Sequence, residues 1–207
     1  MTPSEFQAAT RVSRETIHRL ERYEALLREW QEKINLVGPA TLCDVWSRHF
    51  FDSAQLVDLI PAEAKTIVDL GSGAGFPGLV LAILLRERPG LKVRLIDATT
   101  KKCRFLEEVV SATQARAEIV NARAEDLPPS PADVVTARAC ASLADLLAYA
   151  KKFTKKGSIC LFPKGKTAEV ELTEAARLWR IIYTKVESRT DPSSHILAIR
   201  DFTRVRP

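Results

Sequence analysis

The chain has 207 residues, of which 46% are hydrophobic and 28% are charged, and its formal net charge is +5. That length suits one domain, or one domain with an extension, and the composition is that of a globular protein with a real core. No apolar run approaches the roughly 18 residues of a membrane span, and the N-terminus lacks a signal-peptide pattern, so we expect a cytoplasmic protein that does not engage a membrane.

Two helices are predicted ahead of the first strand. Apolar residues recur every three or four positions over residues 4–36, which predicts one long amphipathic helix. A similar pattern predicts a second helix from Leu42 to Leu59. We therefore predict an N-terminal helical cap over residues 1–61, which packs on, or closes over, a core domain of residues 62–207.

A glycine-rich turn follows the first predicted strand, which begins at Thr66. Gly71, Gly73 and Gly75 form a G-x-G-x-G pattern that leads into an apolar helix. Such a turn allows a ligand to approach the main chain closely. A dinucleotide fingerprint would have its third glycine one residue later, where this chain has Phe76. The spacing therefore favours S-adenosylmethionine (AdoMet) over NAD as the cofactor.

An acidic residue closes the second predicted strand. Asp97 stands 22 residues after Gly75 and ends the apolar run that begins at Val93. A carboxylate at that position can accept both ribose hydroxyls of a bound nucleoside. The alternative interpretations, a plain loop for the glycines and a helix cap for Asp97, explain the two features separately but not their joint spacing.

Strands and helices alternate from Thr66 onward, which is the signature of a parallel, doubly wound sheet. The predicted helices cover residues 78–88, 101–113, 142–152 and 168–179. The predicted strands after the first cover residues 92–97, 117–120, 133–138, 157–162, 181–187 and 195–200. Five βα units closed by an antiparallel pair predict an α/β fold with the seven-stranded, Rossmann-like sheet of AdoMet-dependent methyltransferases, preceded by the helical extension.

Ligands of such sheets bind beyond the carboxyl ends of the strands. Ala124 and Glu125 follow the third strand, where they would flank an adenine ring, although Glu125 could instead be a helix cap or a surface acid. Arg138 ends the fourth strand and could hold the AdoMet carboxylate or a substrate phosphate in a planar fork. Its alternative interpretation is a surface cation.

The cysteines predict no metal site and no covalent catalysis. The four of them contain no C-x-x-C pair and no Cys/His cluster, which argues against a zinc site and a disulfide framework. Cys140 stands where RNA cytosine-C5 methyltransferases keep their nucleophile, but that chemistry requires Pro-Cys and this chain has Ala139-Cys140. We interpret Cys140 as a packing residue and predict no catalytic nucleophile or base.

Several longer motifs resemble one family over nearly the whole chain. They are Arg48-His49-Phe-Phe-Asp52-Ser53, Asp69-Leu-Gly-Ser-Gly-Ala-Gly-Phe-Pro-Gly78, Asp97-Ala-Thr-Thr-Lys101-Lys102-Cys-Arg104 and Ala137-Arg138-Ala-Cys-Ala-Ser142-Leu143, with Lys164-Gly165. In these motifs the chain resembles the ribosomal RNA small subunit methyltransferase G family. The resemblance implies transfer of the AdoMet methyl group to N7 of one guanine in 16S rRNA. It also implies cofactor contacts by Gly71, Phe76, Ala124, Glu125 and Arg138.

The implied chemistry needs neither a base nor a nucleophile, because guanine N7 carries a lone pair and no proton. Positioning, with Arg138 and Lys164 as candidates, would be enough. The candidate RNA-binding residues are Arg48, His49, Lys101, Lys102, Arg104, Lys164 and Lys166. A solvated helix face is the alternative for Lys101, Lys102 and Arg104, and core packing is the alternative for His49.

The expected partner is 16S rRNA or the small ribosomal subunit, bound by a monomer without a metal. The positive net charge agrees with a polyanionic partner. Two other functions stay open at this point. One is an AdoMet enzyme that acts on a small molecule or a protein, and the other is a nucleic-acid-binding module without activity.

Overall fold

A computed structural model describes residues 1–138 and 140–205 of the chain. In this part the sheet has seven strands in the order β3-β2-β1-β4-β5-β7-β6. The strands are β1 (Thr66–Leu70), β2 (Lys92–Asp97), β3 (Ala117–Asn121), β4 (Ala132–Ala137), β5 (Thr154–Lys164), β6 (Trp179–Glu187) and β7 (His195–Arg204). The first five are parallel, and β7 pairs antiparallel with both β5 and β6. The predicted α/β fold with a seven-stranded sheet is confirmed.

The helices of the core domain lie close to their predicted positions. The α-helices of the whole chain are α1 (Pro3–Thr10), α2 (Arg14–Gln31), α3 (Asp52–Ala54), α4 (Gly78–Leu84), α5 (Thr100–Thr113), α6 (Leu143–Ala150) and α7 (Ala168–Ala176). The largest differences concern β5 and β7, which extend beyond their predicted ends. The start of β5 pairs with β4 at Thr154, the end of β5 pairs with β7, and the end of β7 pairs with β6; single-strand patterns do not report such pairing.

The predicted helix over residues 4–36 is wrong as a single element. Arg11 adopts a left-handed conformation with φ of 57° and ends α1, and the hydroxyl of Ser13 accepts the N–H of Thr16 to cap α2. The predicted helix from Leu42 to Leu59 is also wrong as a regular helix. It consists of a 3₁₀ segment (Pro39–Asp44), a π segment (Trp46–Phe51), the short α3 and a second 3₁₀ segment (Gln55–Leu59).

The wide π winding has a packing reason. Trp46, His49, Phe50 and Phe51 are all buried in this segment, whereas a regular α-helix, at 3.6 residues per turn, would turn Phe51 about 140° away from Trp46. Trp46 and Phe51 meet the ring of Phe6 from α1 at centroid distances of 5.4 and 6.2 Å. The aromatic core of the cap therefore decides its backbone.

The cap shares one core with the sheet. Tyr23 of α2 packs against Phe50, Phe76 and Phe105 at centroid distances of 5.3, 5.4 and 6.2 Å. One hydrophobic cluster joins the cap to the sheet face that carries Ile67, and a second cluster covers the opposite face, which carries Val68. The division of the chain after residue 61 stays a prediction.

No helix in the described ranges is long and apolar enough to cross a bilayer. The same residues contain no group of three or more His, Cys, Asp or Glu side chains that could hold a metal ion.

Candidate cofactor and substrate site

The three glycines of the turn have different structural reasons. All have positive φ, at 63° for Gly71, 57° for Gly73 and 93° for Gly75. A Cβ atom on Gly71 would lie 2.5 Å from Cβ of Cys140, and one on Gly75 would lie 2.4 Å from the hydroxyl of Tyr23. A Cβ on Gly73 would meet only the Gly71 carbonyl, at 3.8 Å. Packing within the protein thus explains Gly71 and Gly75, and Gly73 leaves the main chain open toward a cavity.

Asp97 braces this turn. One of its carboxylate oxygens accepts the N–H of Gly73 at 2.8 Å, and the other accepts the N–H of Thr99 at 2.8 Å. Sequence reasoning missed this contact, because the spacing of Asp97 indicates a ligand but not the turn itself. Each oxygen keeps a second lone pair, so the predicted contact with ribose hydroxyls is compatible with the brace.

Two cavities meet at this turn. The first, the loop cavity, has a volume of about 540 Å³, and the second, the strand-end cavity, has a volume of about 240 Å³. Gly71, Asp97 and Cys140 line both. Of the predicted cofactor residues, Gly73, Phe76 and Arg138 line the loop cavity, and Ala124 and Glu125 line the strand-end cavity. Gly75 lines neither, since it is buried beneath Tyr23.

The joined cavities fit an elongated ligand with a nucleoside at one end and a charged group at the other. The strand-end cavity is the smaller of the two, and Asp97 lines both cavities where they meet. The guanidinium of Arg138 stands in the wall of the loop cavity, beyond that junction. Adenosine followed by an amino acid carboxylate is such a ligand, so the residues present fit AdoMet.

The ring of Phe76 belongs to an aromatic stack. It lies between Tyr23 and His49, with centroid distances of 5.4 and 4.7 Å and an interplanar angle of 14° on both sides. The guanidinium of Arg138 lies 5.0 Å from the same ring. The Phe76 side chain is therefore occupied by the cap, and a ligand in the loop cavity would meet mainly its backbone and one edge.

Arg138 is held by the cap on three acceptors. Its Nη1 donates to a carboxylate oxygen of Asp52 at 3.0 Å and to the Arg48 carbonyl at 3.2 Å. Its Nη2 donates to Nδ1 of His49 at 2.9 Å. Arg138 is thus half-buried and fixed in direction, rather than the free surface cation of the alternative interpretation.

His49 is neutral in this arrangement. Burial, with the positive charges of Arg138 and Arg48, lowers its pKa to about 3. Because Nδ1 accepts from Arg138, the ring proton is on Nε2 and donates to the hydroxyl of Thr41 at 2.9 Å. Its stacking, burial and two hydrogen bonds agree with the packing alternative rather than with a contact to RNA phosphates.

Cys140 lies where the cavities join. Its side chain lies against Gly71, and desolvation by the surrounding protein, followed by the negative charge of Asp69, raises the pKa of the thiol to about 11, although the residue as a whole is exposed. The thiol stays protonated at neutral pH, as a packing residue requires. Ala139, which precedes it in the sequence argument, lies outside the described residues.

A third cavity, the β5 cavity, has a volume of about 490 Å³ and shares Arg138 and Cys140 with the loop cavity. Lys164, at the end of β5, forms part of its wall. The ammonium group of Lys164 lies 2.7 Å from a carboxylate oxygen of Glu171 and 3.3 Å from the Ala141 carbonyl. Lys164 is therefore a buried, paired cation in the cavity wall, and its contact with RNA stays a prediction.

The other predicted RNA-binding cations lie near the surface. Lys101, Lys102 and Arg104 are in the first turns of α5, and Lys102 lines the loop cavity. Lys166 is exposed just after β5. Arg48 is half-exposed and lies 3.7 Å from a carboxylate oxygen of Asp191. These residues lie near the edge of the sheet that is formed by the carboxyl ends of β2, β4 and β5. The cavities lie at the same edge, so these cations are placed around them.

Comparison with known proteins identifies the family. The family described as rRNA small subunit methyltransferase G matches residues 16–197. A protein of Rhodospirillum centenum named ribosomal RNA small subunit methyltransferase G is 52% identical over 199 residues, which are 96% of this chain and 90% of the relative. The protein of that name from Paramagnetospirillum magneticum is 48% identical over 206 residues, which are 100% of this chain and 98% of the relative.

Solved structures agree in fold. A SAM-dependent methyltransferase from Aquifex aeolicus has a TM-score of 0.59 at 17% identity, over 77% of this chain and 95% of that one. An O-methyltransferase from Bacillus cereus, solved in complex with SAH, has a TM-score of 0.59 at 14% identity, over 86% of this chain and 90% of that one. With the family match and the site geometry, the chain belongs to the rRNA small subunit methyltransferase G family and is an AdoMet-dependent methyltransferase.

Proposed function

We propose that the enzyme transfers the methyl group of AdoMet to N7 of a guanine in 16S rRNA. The observation that carries the proposal is the state of the possible bases around the loop cavity. Both carboxylate oxygens of Asp97 accept backbone N–H groups, and Nδ1 of His49 accepts from Arg138. Asp52 is engaged by the same guanidinium. An acceptor atom with a lone pair and no proton, such as guanine N7, needs none of these groups as a base.

The cofactor would lie along the joined cavities. Gly73 would approach it with the main chain, Asp97 would accept the ribose hydroxyls, Ala124 and Glu125 would flank the adenine, and Arg138 would hold the carboxylate. Bound AdoMet supplies an electrophilic sulfonium methyl group. The task of the protein is then to hold that group and the guanine in line, which is worth on the order of 7–11 kcal/mol of the barrier.

The guanine would enter the β5 cavity, because that cavity shares Arg138 and Cys140 with the loop cavity. Arg138 and Lys164 are donors there, and the N7 edge of guanine carries the acceptors N7 and O6. Because each cation is already held by a carboxylate, its direction is set before the RNA binds. We assign Arg138 and Lys164 as positioning residues for the base.

A single guanine is reached most easily in an unpaired RNA segment, where the base can leave the stack. Lys101, Lys102, Arg104 and Lys166 would contact phosphates around the cavity mouth, and Arg48 would contribute from the cap. We propose that a monomer acts on this RNA in the bacterial cytoplasm. Sedimentation at catalytic concentrations tests the monomer.

The proposal is tested with methyl-labelled AdoMet and unmethylated 16S rRNA, offered both naked and in small-subunit particles. We expect label at one guanine, and the site becomes sensitive to borohydride and aniline cleavage, which is diagnostic of N7-methylguanine. Label in a different base, in a ribosomal protein or in a small molecule contradicts the proposal. The Arg138→Ala variant is the negative control.

A further inference from the structure

A second positively charged surface lies at the other end of β5. The first residues of β5 and the end of β7 line a cleft of about 510 Å³, which we call the basic cleft. Its charged residues are Lys151, Lys155, Lys156, Arg200 and Asp201. β5 pairs with β4 from Ala132/Thr154 to Thr136/Leu161, with a bulge in β5, and runs three residues further to the wall of the β5 cavity. At about 3.3 Å per residue of β4 and β5, the basic cleft lies roughly 20 Å from the methyl-transfer site.

The cations of the basic cleft differ in their partners. Lys155 lies 2.7 Å from a carboxylate oxygen of Asp133, and Lys151 lies over the ring of Phe202 at 5.4 Å. Lys156 and Arg200 are exposed and have no carboxylate within 4.0 Å in the described part of the chain. Two cations are thus available to an external partner in a cleft with one exposed acid.

The backbone supports the exposure of these groups. The pairing of β6 and β7 shifts register at Ile182/Tyr183, which leaves Arg200 in a β-bulge between Ile199 and Asp201. A bulge redirects the side chain of the extra residue, and Arg200 is exposed while Ile199 is buried. Next to Lys156, a Cβ on Gly157 would meet no atom within 4 Å, so the main chain is also open to a ligand there.

The chemistry of the cleft favours phosphates over bases. Its aromatic residue, Phe202, is buried and covered by Lys151, so no exposed ring offers a stacking surface among the lining residues. Lysine and arginine side chains without a stacking partner contact phosphate oxygens and carry no sequence information. The partner that fits is therefore a nucleic-acid backbone.

We propose that the basic cleft is a second RNA-binding surface, which holds phosphates of the substrate RNA away from the methylated guanine. The proposal rests on the proposed function, since it takes rRNA as the substrate. An RNA much longer than a single loop can reach both surfaces at once. Once one surface has bound the RNA, the other binds it at a high effective concentration, which raises the overall affinity. The second contact does not touch the reacting atoms. The cleft should thus lower the KM for RNA and leave kcat unchanged.

The test compares the double variant Lys156→Gln/Arg200→Gln with the wild type. For binding to a long 16S rRNA fragment, the logarithm of the association constant decreases with the logarithm of the salt concentration. We expect this dependence to be less steep in the variant, with a slope smaller in magnitude by about one to two. At 0.1 M salt, this corresponds to an RNA Kd raised about tenfold or more. kcat with saturating RNA and the Kd for AdoMet should stay unchanged, and a short RNA that contains only the target loop should be methylated equally by both proteins.

A matched control removes two exposed arginines elsewhere. The Arg11→Gln/Arg14→Gln variant has the same net charge, and both residues are exposed in the N-terminal cap, with no carboxylate within 4.0 Å in the described part of the chain. If this control weakens RNA binding as much as the cleft variant does, the effect is one of net charge and the proposal is wrong. Each single variant in the cleft should give about half the change in slope, which keeps the test valid if the double variant folds poorly.

Two further outcomes overturn the proposal. If the cleft variant binds naked rRNA like the wild type but binds assembled subunits less well, the cleft contacts a ribosomal protein instead. If the wild type methylates the rRNA and the slope does not change in the variant, the cleft has no part in RNA binding. Failure of the proposed function is distinct, because the wild type would then methylate no rRNA guanine at all.

Discussion

The β5 cavity and the basic cleft use the same residue types in opposite ways. In the β5 cavity, Arg138 and Lys164 have side chains that are 18% and 6% exposed, and each lies within 3.0 Å of a carboxylate. In the basic cleft, Lys156 and Arg200 are exposed, and the described residues offer them no such partner. A buried, paired cation has a fixed direction and can position a reacting group, whereas an exposed one adds attraction that salt screens.

The largest effect is expected where a paired cation is removed. Arg138→Ala should lower kcat/KM about 100-fold, because the group that directs both the cofactor and the acceptor side is lost. It also leaves the carboxylate of Asp52 partly buried beside His49 with no cation, so we expect the free energy of unfolding to fall by about 2 kcal/mol. Steady-state kinetics and urea unfolding measure the two quantities.

Asp52→Asn sharpens this test, since it keeps the guanidinium and removes only the charge that holds it. We expect a smaller loss of activity, mainly in kcat, with the AdoMet Kd little changed. Arg138→Ala is compared with the surface variant Arg14→Gln. If the two have the same effect on kcat/KM, pairing with a carboxylate does not distinguish a functional cation from an exposed one, and the comparison between the two groups of cations is wrong.

The second effect concerns the acid stability of the cap. His49 has a pKa of about 3 in the folded protein, compared with about 6.5 when unfolded, so the unfolded state binds the proton first as the pH falls. Its contribution to stability is complete above pH 6.5 and decreases as the pH falls toward 3. Between pH 7.5 and pH 4.5, we expect the wild type to lose about 2–3 kcal/mol relative to His49→Gln.

The quantity to measure is the difference in the free energy of unfolding between the wild type and His49→Gln. The reason is that another buried group contributes a pH dependence of the opposite sign. Burial raises the pKa of Asp69 to about 6, so its contribution to stability decreases as the pH rises from about 4 to 6. Asp69 is present in both proteins and cancels in the difference. Urea unfolding at several pH values gives that difference, and a difference independent of pH would show that His49 is not held neutral.

The third effect concerns the turn at the cofactor cavity. Gly73→Ala should raise the Kd for AdoMet about tenfold, because the added methyl group would enter the loop cavity where the ligand approaches the main chain. Gly157→Ala is the matched control, since Gly157 also has positive φ, at 88°, and open space around it, but lies at the basic cleft. Calorimetric titration should show weakened AdoMet binding in the first variant alone, and equal losses would assign the effect to backbone strain.

The smallest effect is expected at Cys140, the neighbour of Arg138 at the junction of the cavities. The thiol has a pKa of about 11, so Cys140→Ala should change kcat by no more than about twofold. Loss of activity in Cys140→Ala, together with a covalent RNA adduct on the thiol of the wild-type enzyme, would mean that Cys140 acts as a nucleophile, against both the packing role and the proposed N7 transfer.

Sequence reasoning was most successful in the core domain. Alternating apolar runs predicted five parallel strands and an antiparallel pair, because each element there shows its own periodicity and ends at its own turn residues. It failed in the cap, where aromatic packing of Phe6, Trp46 and Phe51 overrides the helical pattern and produces 3₁₀ and π windings. It listed Lys164 and His49 among the RNA-binding residues without indicating that both side chains are buried and hydrogen-bonded within the protein.

By itself, the sequence determined the class of fold and the class of cofactor, because the glycine spacing and the acid at Asp97 are local patterns with a local geometric meaning. Only the tertiary structure decided which cations are fixed and which are free. Arg138 meets Asp52 and His49 across 86 and 89 residues of chain, and no spacing rule reports a contact at such a distance. The role of a charged side chain depends on the residues that pack against it. For Arg138, those residues come from the cap and contact it only in the folded protein.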